Sequence, residues 1–171
     1  MYRMEIKSQF DHRGKTYKVT YTDGVPEVGT DTVLAGVHTY CFCNDKLVIV
    51  RHETSNQWTP PGGAIEEGES YTEAAIREIK EETNMKVLHM ECIGYQDATS
   101  VEGGETSRQF RMFAIVEPYG EFISDPDGDI LEMKLIDPKD YKEYIQWREI
   151  GDYLIERALA MYNNYSGITK E

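Results

Sequence analysis

Hydrophobic and polar residues alternate along two neighbouring segments in the first third of the chain. Residues 32–43 (TVLAGVHTYCFC) and 47–52 (LVIVRH) are rich in β-branched and aromatic residues, which favour strands. The polar stretch NDK between them predicts a turn, so the two segments should form a β-hairpin. Similar patterns predict strands over residues 15–21, 85–95, 109–116 and 130–136, with polar loops over residues 97–108 and 117–129.

A helix is predicted in the middle of the chain. Ser70 followed by Glu73 is a capping-box pattern, so a helix should begin at Tyr71 and run to about Thr83. The side of this helix that packs on the sheet should consist of Ile76, Ile79 and Thr83.

The last third of the chain predicts two more helices. Residues 137–144 favour a short helix with Pro138 in its first turn. Residues 148–165 carry an apolar stripe at helical spacing, formed by Ile150, Leu154, Ala158 and Met161. Strands that are interrupted and followed by helices favour an α/β fold with a mixed sheet and helices on its faces.

The length of 171 residues fits one domain with its own core, so we expect a single domain over residues 1–171. Its first 30 residues contain the strand at 15–21, ended by the turn TDGVPEVG at residues 22–29. This part could be an N-terminal β-arm or a small subdomain, and the sequence does not decide between them.

The composition narrows the location and the partners. No apolar run approaches the roughly 20 residues that cross a bilayer, and the polar N-terminal stretch lacks the apolar core of a signal peptide. Three cysteines without zinc spacing indicate free thiols, so we expect a cytoplasmic protein without membrane association. The net charge of −13 should repel a nucleic-acid duplex but admits a small phosphorylated substrate if a cation lies between the charges.

Carboxylates are concentrated on the predicted central helix. At about 100° per residue, Glu78, Glu81 and Glu82 fall within an arc of roughly 100°. Like charges one turn apart destabilise a helix by roughly 0.2–0.5 kcal/mol per pair. Arg77 should hold one carboxylate in a ladder with Glu73 and Glu81, but the remaining acids stay uncompensated. Converging oxygen donors suit a hard cation such as Mg²⁺ or Mn²⁺, which would neutralise this repulsion.

The segment from Gly63 to Met85 resembles the signature of the Nudix hydrolase family, whose MutT-like members carry G-x5-E-x7-R-E-U-x-E-E-x-G-U with U a bulky apolar residue. Gly63, Glu69 and the run REIKEETNM from Arg77 match this pattern. One position departs from it, because Asn84 stands where the family has glycine. That glycine closes the helix with a positive φ, and asparagine tolerates the same conformation.

The resemblance implies a Nudix-type α/β/α sandwich with a mixed β-sheet between helices. It also implies a divalent-metal-dependent pyrophosphohydrolase that cleaves a phosphoanhydride bond in a nucleoside diphosphate linked to another moiety, such as a nucleotide or nucleotide sugar. By the same resemblance, the metal ligands are Gly63 through its carbonyl, Glu78, Glu81 and Glu82. Arg77 would orient these glutamates, and Glu69 would support the loop before the helix.

The general base is left open between several carboxylates. Glu81 or Glu82 would serve, and family members differ in where the base lies. The loop SDPDGDILE offers Asp125, Asp127, Asp129 and Glu132, of which Asp127 is our preferred candidate because site residues favour such loops. Glu102 and Glu105 in the loop SVEGGETS are rivals.

Outside the motif, the sequence offers candidates for substrate contacts. Alternation in RQFRMF places Arg111 and Phe113 on one face of a strand, and Arg108 and Arg111 are the candidates for contact with a substrate phosphate. The aromatic residues best placed to stack on a base are Trp58, Tyr95, Phe110 and Tyr40. The four histidines are scattered without ligand spacing, so we expect structural or surface roles for them.

The sequence leaves two other functions open. The first is a Nudix fold that senses a nucleotide without cleaving it, although the intact glutamate set argues against a sensor. An isomerase on the same fold is the third hypothesis. Neither the substrate nor the oligomeric state follows from the chain, and a homodimer through the N-terminal residues is possible.

Overall fold

The computed structural model describes residues 3–27 and 32–168. Its strands are β1 Glu5–His12, β2 Lys15–Asp23, β3 Thr32–Cys43, β4 Lys46–His52, β5 Trp58–Thr59, β6 Gly62–Ala64, β7 Met85–Ser100, β8 Thr106–Pro118 and β9 Ile130–Ile136. Its helices are α1 Tyr71–Thr83, a 3₁₀ turn Pro138–Asp140, α2 Tyr141–Tyr144 and α3 Arg148–Ile168. The predicted helices and most predicted strands are therefore present at the expected places.

Within these residues the strands form one sheet. Its order is β1-β2-β7-β8-β3-β4-β5, while β6 pairs with β3 and β9 pairs with β4. The pairing of β3 with β8 is parallel, and the other described pairings are antiparallel. The sheet is therefore mixed, as the sequence predicts.

Helices cover both faces of the sheet. On one face α3 packs through Leu154, Ile155 and Ala158 against the strand residues Tyr21, Tyr40, Phe42, Leu47, Ile49, Ile93 and Phe113. On the other face α1 packs through Ala74, Ala75 and Ile79 against Val37, Cys41, Val48, Phe110, Met112 and Ala114. This confirms the α/β/α sandwich. None of the described helices is both long and apolar enough to cross a membrane.

The hairpin between β3 and β4 turns on two residues. Cys43 pairs with Lys46, so only Asn44 and Asp45 lie between the strands. Both residues have positive φ angles, 47° and 66°, which suits the right-handed twist of a two-residue turn. Asparagine and aspartate tolerate this conformation better than most residues, so the sequence predicts this hairpin correctly.

Two parts of the sheet differ from the sequence prediction. Strand β1 was not predicted, and it pairs along its whole length with β2, which in turn pairs with β7. The N-terminal arm is thus a continuation of the sheet, while residues 28 and 29 of the predicted turn lie outside the described residues. The predicted loop 97–108 is largely strand, because Arg108 binds the carboxylate of Asp97 across β7 and β8 at 2.7 and 2.9 Å. Only residues 101–105 connect these two strands.

The buried side of α1 also differs in part. Ile79 and Thr83 are buried as predicted, but Ile76 is 45% exposed. Glu82, predicted to lie in an exposed acidic arc, is 4% exposed instead. The buried side of the helix is therefore rotated toward the glutamates, and one of them enters the protein interior.

Candidate active site

Helix α1 is fixed at both ends by its own residues. The Ser70 side chain accepts a hydrogen bond from the Glu73 amide at 3.1 Å, and the Glu73 carboxylate accepts one from the Ser70 amide at 2.9 Å. At the other end Asn84 adopts the left-handed conformation with φ 54°, and its amide donates to the Lys80 carbonyl. The predicted capping box and the positive φ at Asn84 are both confirmed. The end of α1 that carries Glu78, Glu81 and Glu82, which we call the acidic turn, therefore belongs to a helix with two well-defined ends.

Arg77 is the centre of the ion-pair network on this helix. Its Nε and Nη2 donate to the two carboxylate oxygens of Glu69 at 2.8 and 3.0 Å. Its Nη1 donates to Glu78 at 2.8 Å and to Glu81 at 3.3 Å. Nη2 also reaches the Ala64 carbonyl at 2.9 Å. One guanidinium therefore connects the loop before α1 to the carboxylates of Glu78 and Glu81. Because these hydrogen bonds are charge-assisted, they hold the loop and the two carboxylates firmly in place.

These contacts confirm one half of the predicted ladder and correct the other. Arg77 and Glu81 form the expected i, i+4 ion pair. Glu73 does not take part, because its carboxylate is used at the helix N-terminus instead. Glu69 fills that place and binds Arg77 with both oxygens, which lowers the pKa of the Glu69 carboxyl. The same bonds raise the pKa of Arg77.

Glu82 lies deepest of the three glutamates that are predicted metal ligands. Its carboxylate accepts a hydrogen bond from the Gly62 amide at 2.7 Å. Burial raises the pKa of Glu82 to about 8 despite this hydrogen bond, and the charges of Glu78, Asp125 and Asp129 raise it further. The surroundings of Glu82 therefore disfavour the charged carboxylate, and a bound cation would stabilise it.

Gly63 lies directly against Glu78. A side chain at Gly63 would collide with the Glu78 carboxylate, and one at Gly36 would come within 3.0 Å of the Gly63 carbonyl oxygen. Two glycines therefore allow β3, β6 and α1 to approach closely. Burial raises the pKa of the Glu78 carboxyl, although its bond to Arg77 opposes this shift. The pKa of Glu81 is raised as well, again chiefly by burial.

The loop between β8 and β9 adds a second group of acids. Asp125, 7% exposed, accepts hydrogen bonds from the backbone amides of Asp127 and Asp129, both at 3.1 Å. These bonds fold the loop around one side chain, and the charge of Asp127 acts on Glu81. The preferred base candidate Asp127 is thus near the acidic turn. The rivals Glu102 and Glu105 lie in the connection between β7 and β8, apart from the residues that line this site.

These groups surround an open cavity of about 490 Å³, which we call the acidic cavity. Its lining consists of His52, Thr54, Gly62, Gly63, Ala64, Glu66, Arg77, Glu78, Glu82, Asp125, Asp127 and Asp129. The sequence did not assign His52 to a site. Its Nε2 lies 2.8 Å from the Thr59 hydroxyl, and burial lowers its pKa while Asp129 and Asp125 oppose that shift. In the sequence, the position of His52 at the end of a predicted strand and before a loop is the signal that could have indicated this role.

The donor set fits a hard divalent cation. Carboxylate and carbonyl oxygens are the ligands that Mg²⁺ and Mn²⁺ prefer. The negative charges of Glu78 and Asp125 raise the pKa of Glu82, and a bound cation would relieve this repulsion. In residues 3–27 and 32–168, no three potential ligands are already gathered around one point. Arg77 and the Gly62 amide engage the three glutamates in this arrangement, so a cation would have to compete with both for these oxygens.

The aromatic residues predicted to stack on a base differ in how accessible their rings are. Tyr40 and Phe110 are buried in the core, 0% and 2% exposed, which excludes stacking on a base. Tyr95 is covered by the Arg108 guanidinium at 4.4 Å, and Arg108 itself is paired with Asp97. Trp58 is partly exposed, with Arg51 5.9 Å from its ring. Lys134 lies 5.2 Å from the same ring, so cations already cover part of Trp58 as well.

Comparison with known proteins points to one family. The NUDIX domain family profile matches residues 34–157, a range that excludes β1 and β2. The chain is 38% identical over 153 residues to an RNA pyrophosphohydrolase of Pelagibacter ubique, covering 80% of this chain and 90% of that protein. It is 27% identical over 111 residues to the uncharacterized Nudix hydrolase YvcI of Bacillus subtilis. That match covers 64% of this chain and 61% of YvcI, so the chain spans less than two thirds of this relative.

A solved structure has the same fold. The Bacillus subtilis pyrophosphohydrolase BsRppH, crystallised as a variant, superposes with a TM-score of 0.68. The superposition covers 94% of this chain and 98% of the other, at 19% sequence identity. At this identity the likeness concerns the fold, including the sheet and the helices on its two faces.

Proposed function

Because this chain belongs to the Nudix hydrolase family, we propose that it is a divalent-metal-dependent pyrophosphohydrolase. Its substrate would be a nucleoside diphosphate linked to another moiety, cleaved at a phosphoanhydride bond. The observation that carries this proposal is the pairing of Arg77 with Glu69, Glu78 and Glu81 beside the buried Glu82. Glu78 and Glu82 line the acidic cavity, and Glu81 is held next to them by its ion pair with Arg77.

Charge explains why the chemistry needs a cation. The substrate brings negative phosphates to a protein of net charge −13 and to a cavity rich in carboxylates. Glu78, Glu81, Glu82 and the Gly63 carbonyl would hold Mg²⁺ or Mn²⁺ there. The cation, when bound, polarises the phosphoryl group and lowers the pKa of a water molecule.

The residues of the chain would orient the ligands and accept the proton. Arg77 fixes Glu78 and Glu81, and Glu69 fixes Arg77 through two hydrogen bonds. Glu81 has the most exposed side chain of the three glutamates, 27% against 14% for Glu78, so water can reach it as a proton acceptor. Asp127, whose charge acts on Glu81, is the second candidate for this role.

The substrate class is tested by a panel of compounds with Mg²⁺ or Mn²⁺. The panel should contain nucleoside triphosphates, ADP-ribose, nucleotide sugars, dinucleoside polyphosphates and a short 5′-triphosphorylated RNA, the last because of the relative named above. Release of phosphate, pyrophosphate or a mononucleotide supports the proposal. Tight nucleotide binding without any product would instead identify a sensor.

We expect Glu82→Gln to reduce kcat/KM by about 10³-fold, equivalent to about 4 kcal/mol of transition-state stabilisation. The amide keeps the size of the side chain but removes the charge that would bind the cation. Steady-state kinetics on the best panel substrate measures the effect. The matched control is Glu67→Gln, since this exposed residue of the same segment contacts none of the site residues described above. Full activity of Glu82→Gln would contradict the assigned role.

A further inference from the structure

A second cavity lies on the opposite face of the sheet from α1. It has a volume of about 430 Å³, within the range of small-molecule sites. Strands β1, β2, β3, β7 and β8 and the start of α3 supply its walls. We call it the arginine cavity, after Arg111 on strand β8. The side chains that matter most are Gln9, His38, Gln109, Arg111, Trp147 and Arg148.

The arginine cavity has an unusual charge for this protein. The whole chain has 31 acidic and 18 basic residues, yet two arginines and no aspartate or glutamate line this cavity. The polar lining is otherwise made of amides, a serine and a histidine whose pKa is lowered by burial. An anion would therefore meet attraction here and repulsion at most of the surface.

Arg111 is a buried cation without a carboxylate partner among the described residues. It is 4% exposed, and its guanidinium donates to the Phe110 carbonyl at 3.2 Å and to the Gln109 side-chain oxygen at 3.1 Å. His38 Nδ1 lies 3.5 Å from Nη1, and the buried Nε has no hydrogen-bond partner. An arginine stays charged even when it is buried, so this charge remains uncompensated.

Aromatic packing fixes the guanidinium in this place. Arg111 lies over the Trp147 ring at 5.0 Å, and the His38 ring meets the same indole edge-on at 5.1 Å. Such packing orients a guanidinium but does not neutralise it. A rigid, desolvated and unpaired guanidinium is well suited to an oxyanion, which accepts parallel hydrogen bonds from it.

We propose that the arginine cavity binds an oxyanion of phosphate chemistry that pairs with Arg111. The anion has two possible sources, a phosphate group of the substrate itself or a separate phosphate compound. The first source rests on the proposed function and has a structural basis. His38 in the cavity wall pairs with Gly62 in β6, the residue before Gly63 of the acidic cavity.

Binding without metal tests the site independently of catalysis. We would titrate inorganic phosphate, pyrophosphate and AMP by calorimetry in EDTA, which leaves the acidic cavity without a cation. The decisive variant is Gln109→Glu, because it places a carboxylate where Gln109 already accepts from Arg111. We expect it to raise the melting temperature and to weaken anion binding at least tenfold.

Three other variants complete the experiment. Arg111→Met removes the unpaired charge and should also abolish anion binding without lowering the melting temperature. The charge control is Asn163→Asp, which adds the same negative charge on an exposed part of α3. The arginine control is Arg108→Met, which leaves Asp97 unpaired and should lower the melting temperature but keep anion binding.

Equal binding by the wild type and Gln109→Glu, or no anion binding by the wild type, would overturn the proposal. Kinetics then identifies the source of the anion. A higher KM of Gln109→Glu with unchanged kcat indicates a phosphate of the substrate, whereas modulation of the wild-type rate by added phosphate that is lost in Gln109→Glu indicates a separate compound. Because the binding experiment needs no turnover, an inactive protein that still binds anions would sink the proposed function alone.

Discussion

At the scale of single residues, Glu82 differs from Glu78 and Glu81 in its hydrogen-bond partner and in its burial. Glu78 and Glu81 share the Arg77 guanidinium, whereas Glu82 is bonded to the Gly62 amide and is nearly inaccessible. Burial therefore shifts its pKa furthest, to about 8. Near neutral pH the metal-free protein holds much of this carboxyl protonated, so cation binding there releases a proton.

This shift predicts how stability depends on pH without metal. The unfolded carboxyl ionises near 4.5 and the folded one near 8, so the folded state binds the extra proton between these values. The free energy of unfolding should therefore fall as pH rises through this window, by at most about 1.4 kcal/mol per pH unit from this group. Urea denaturation in EDTA at several pH values measures it.

The variant Glu82→Gln should flatten that pH dependence and leave the protein more stable than the wild type at pH 8. Glu67→Gln should keep the wild-type slope, because Glu67 is exposed. If Glu82→Gln and the wild type lose stability in parallel, the proton is not held at Glu82.

At the scale of elements, both ends of α1 determine where the acids lie. The capping box fixes the first turn, and Asn84 ends the helix in the left-handed conformation one residue before β7 begins. The Asn84 side chain accepts from Lys80 at 2.7 Å and donates to the Glu121 carbonyl at 3.2 Å. These two bonds give asparagine a role at this position that glycine would not fill.

Substitutions at Asn84 separate backbone from side-chain effects. We expect Asn84→Gly to stay within about 1 kcal/mol of the wild type, because glycine adopts the left-handed conformation without strain, which offsets much of the loss of the two bonds. Asn84→Ala should lose about 1–2 kcal/mol more, since alanine pays the left-handed cost. Urea denaturation gives both values, and equal stability of the two variants would show that the positive φ is not required.

At the scale of the whole molecule, one sheet separates two sites of opposite charge. The acidic cavity lies beside α1, and the arginine cavity opens on the face that packs α3. Both cavities border the pairing of β3 with β6, where Val37 pairs with Gly63 and His38 pairs with Gly62. A ligand that reaches both sites would pass this short strand.

Hydrogen exchange should show how firmly each strand is held. Amides of β8, which is paired on both sides by β7 and β3, should exchange slowest, and those of the edge strands β1 and β9 fastest. Added phosphate in EDTA should slow exchange in β1, which lines the arginine cavity, but not in β9. Protection of β9 equal to that of β1 would indicate a global effect instead.

The sequence predicts local features of this protein better than distant ones. The bounds of α1, the turn at Asn44 and the left-handed Asn84 follow from residues close in the chain. The contact between Arg77 and Glu69, the burial of Glu82 and the exposure of Ile76 depend on how β6 and the loop before α1 pack on the helix. The sequence offers Arg111 as a phosphate contact but does not predict the arginine cavity, because the cavity joins Arg111 to Trp147 and to β1 through tertiary packing.

The β1–β2 hairpin supplies Ser8, Gln9, Phe10 and Val19 to the arginine cavity, yet it lies outside residues 34–157, which the family profile matches. Its outer strand is held by a single neighbour, so its sequence can change without disturbing the helix that carries the acids. The lining of the arginine cavity therefore combines residues outside the profile with His38, Gln109, Arg111 and Trp147 inside it. Exchanging this hairpin between homologues would offer a route to redirect such a hydrolase while its chemical machinery stays intact.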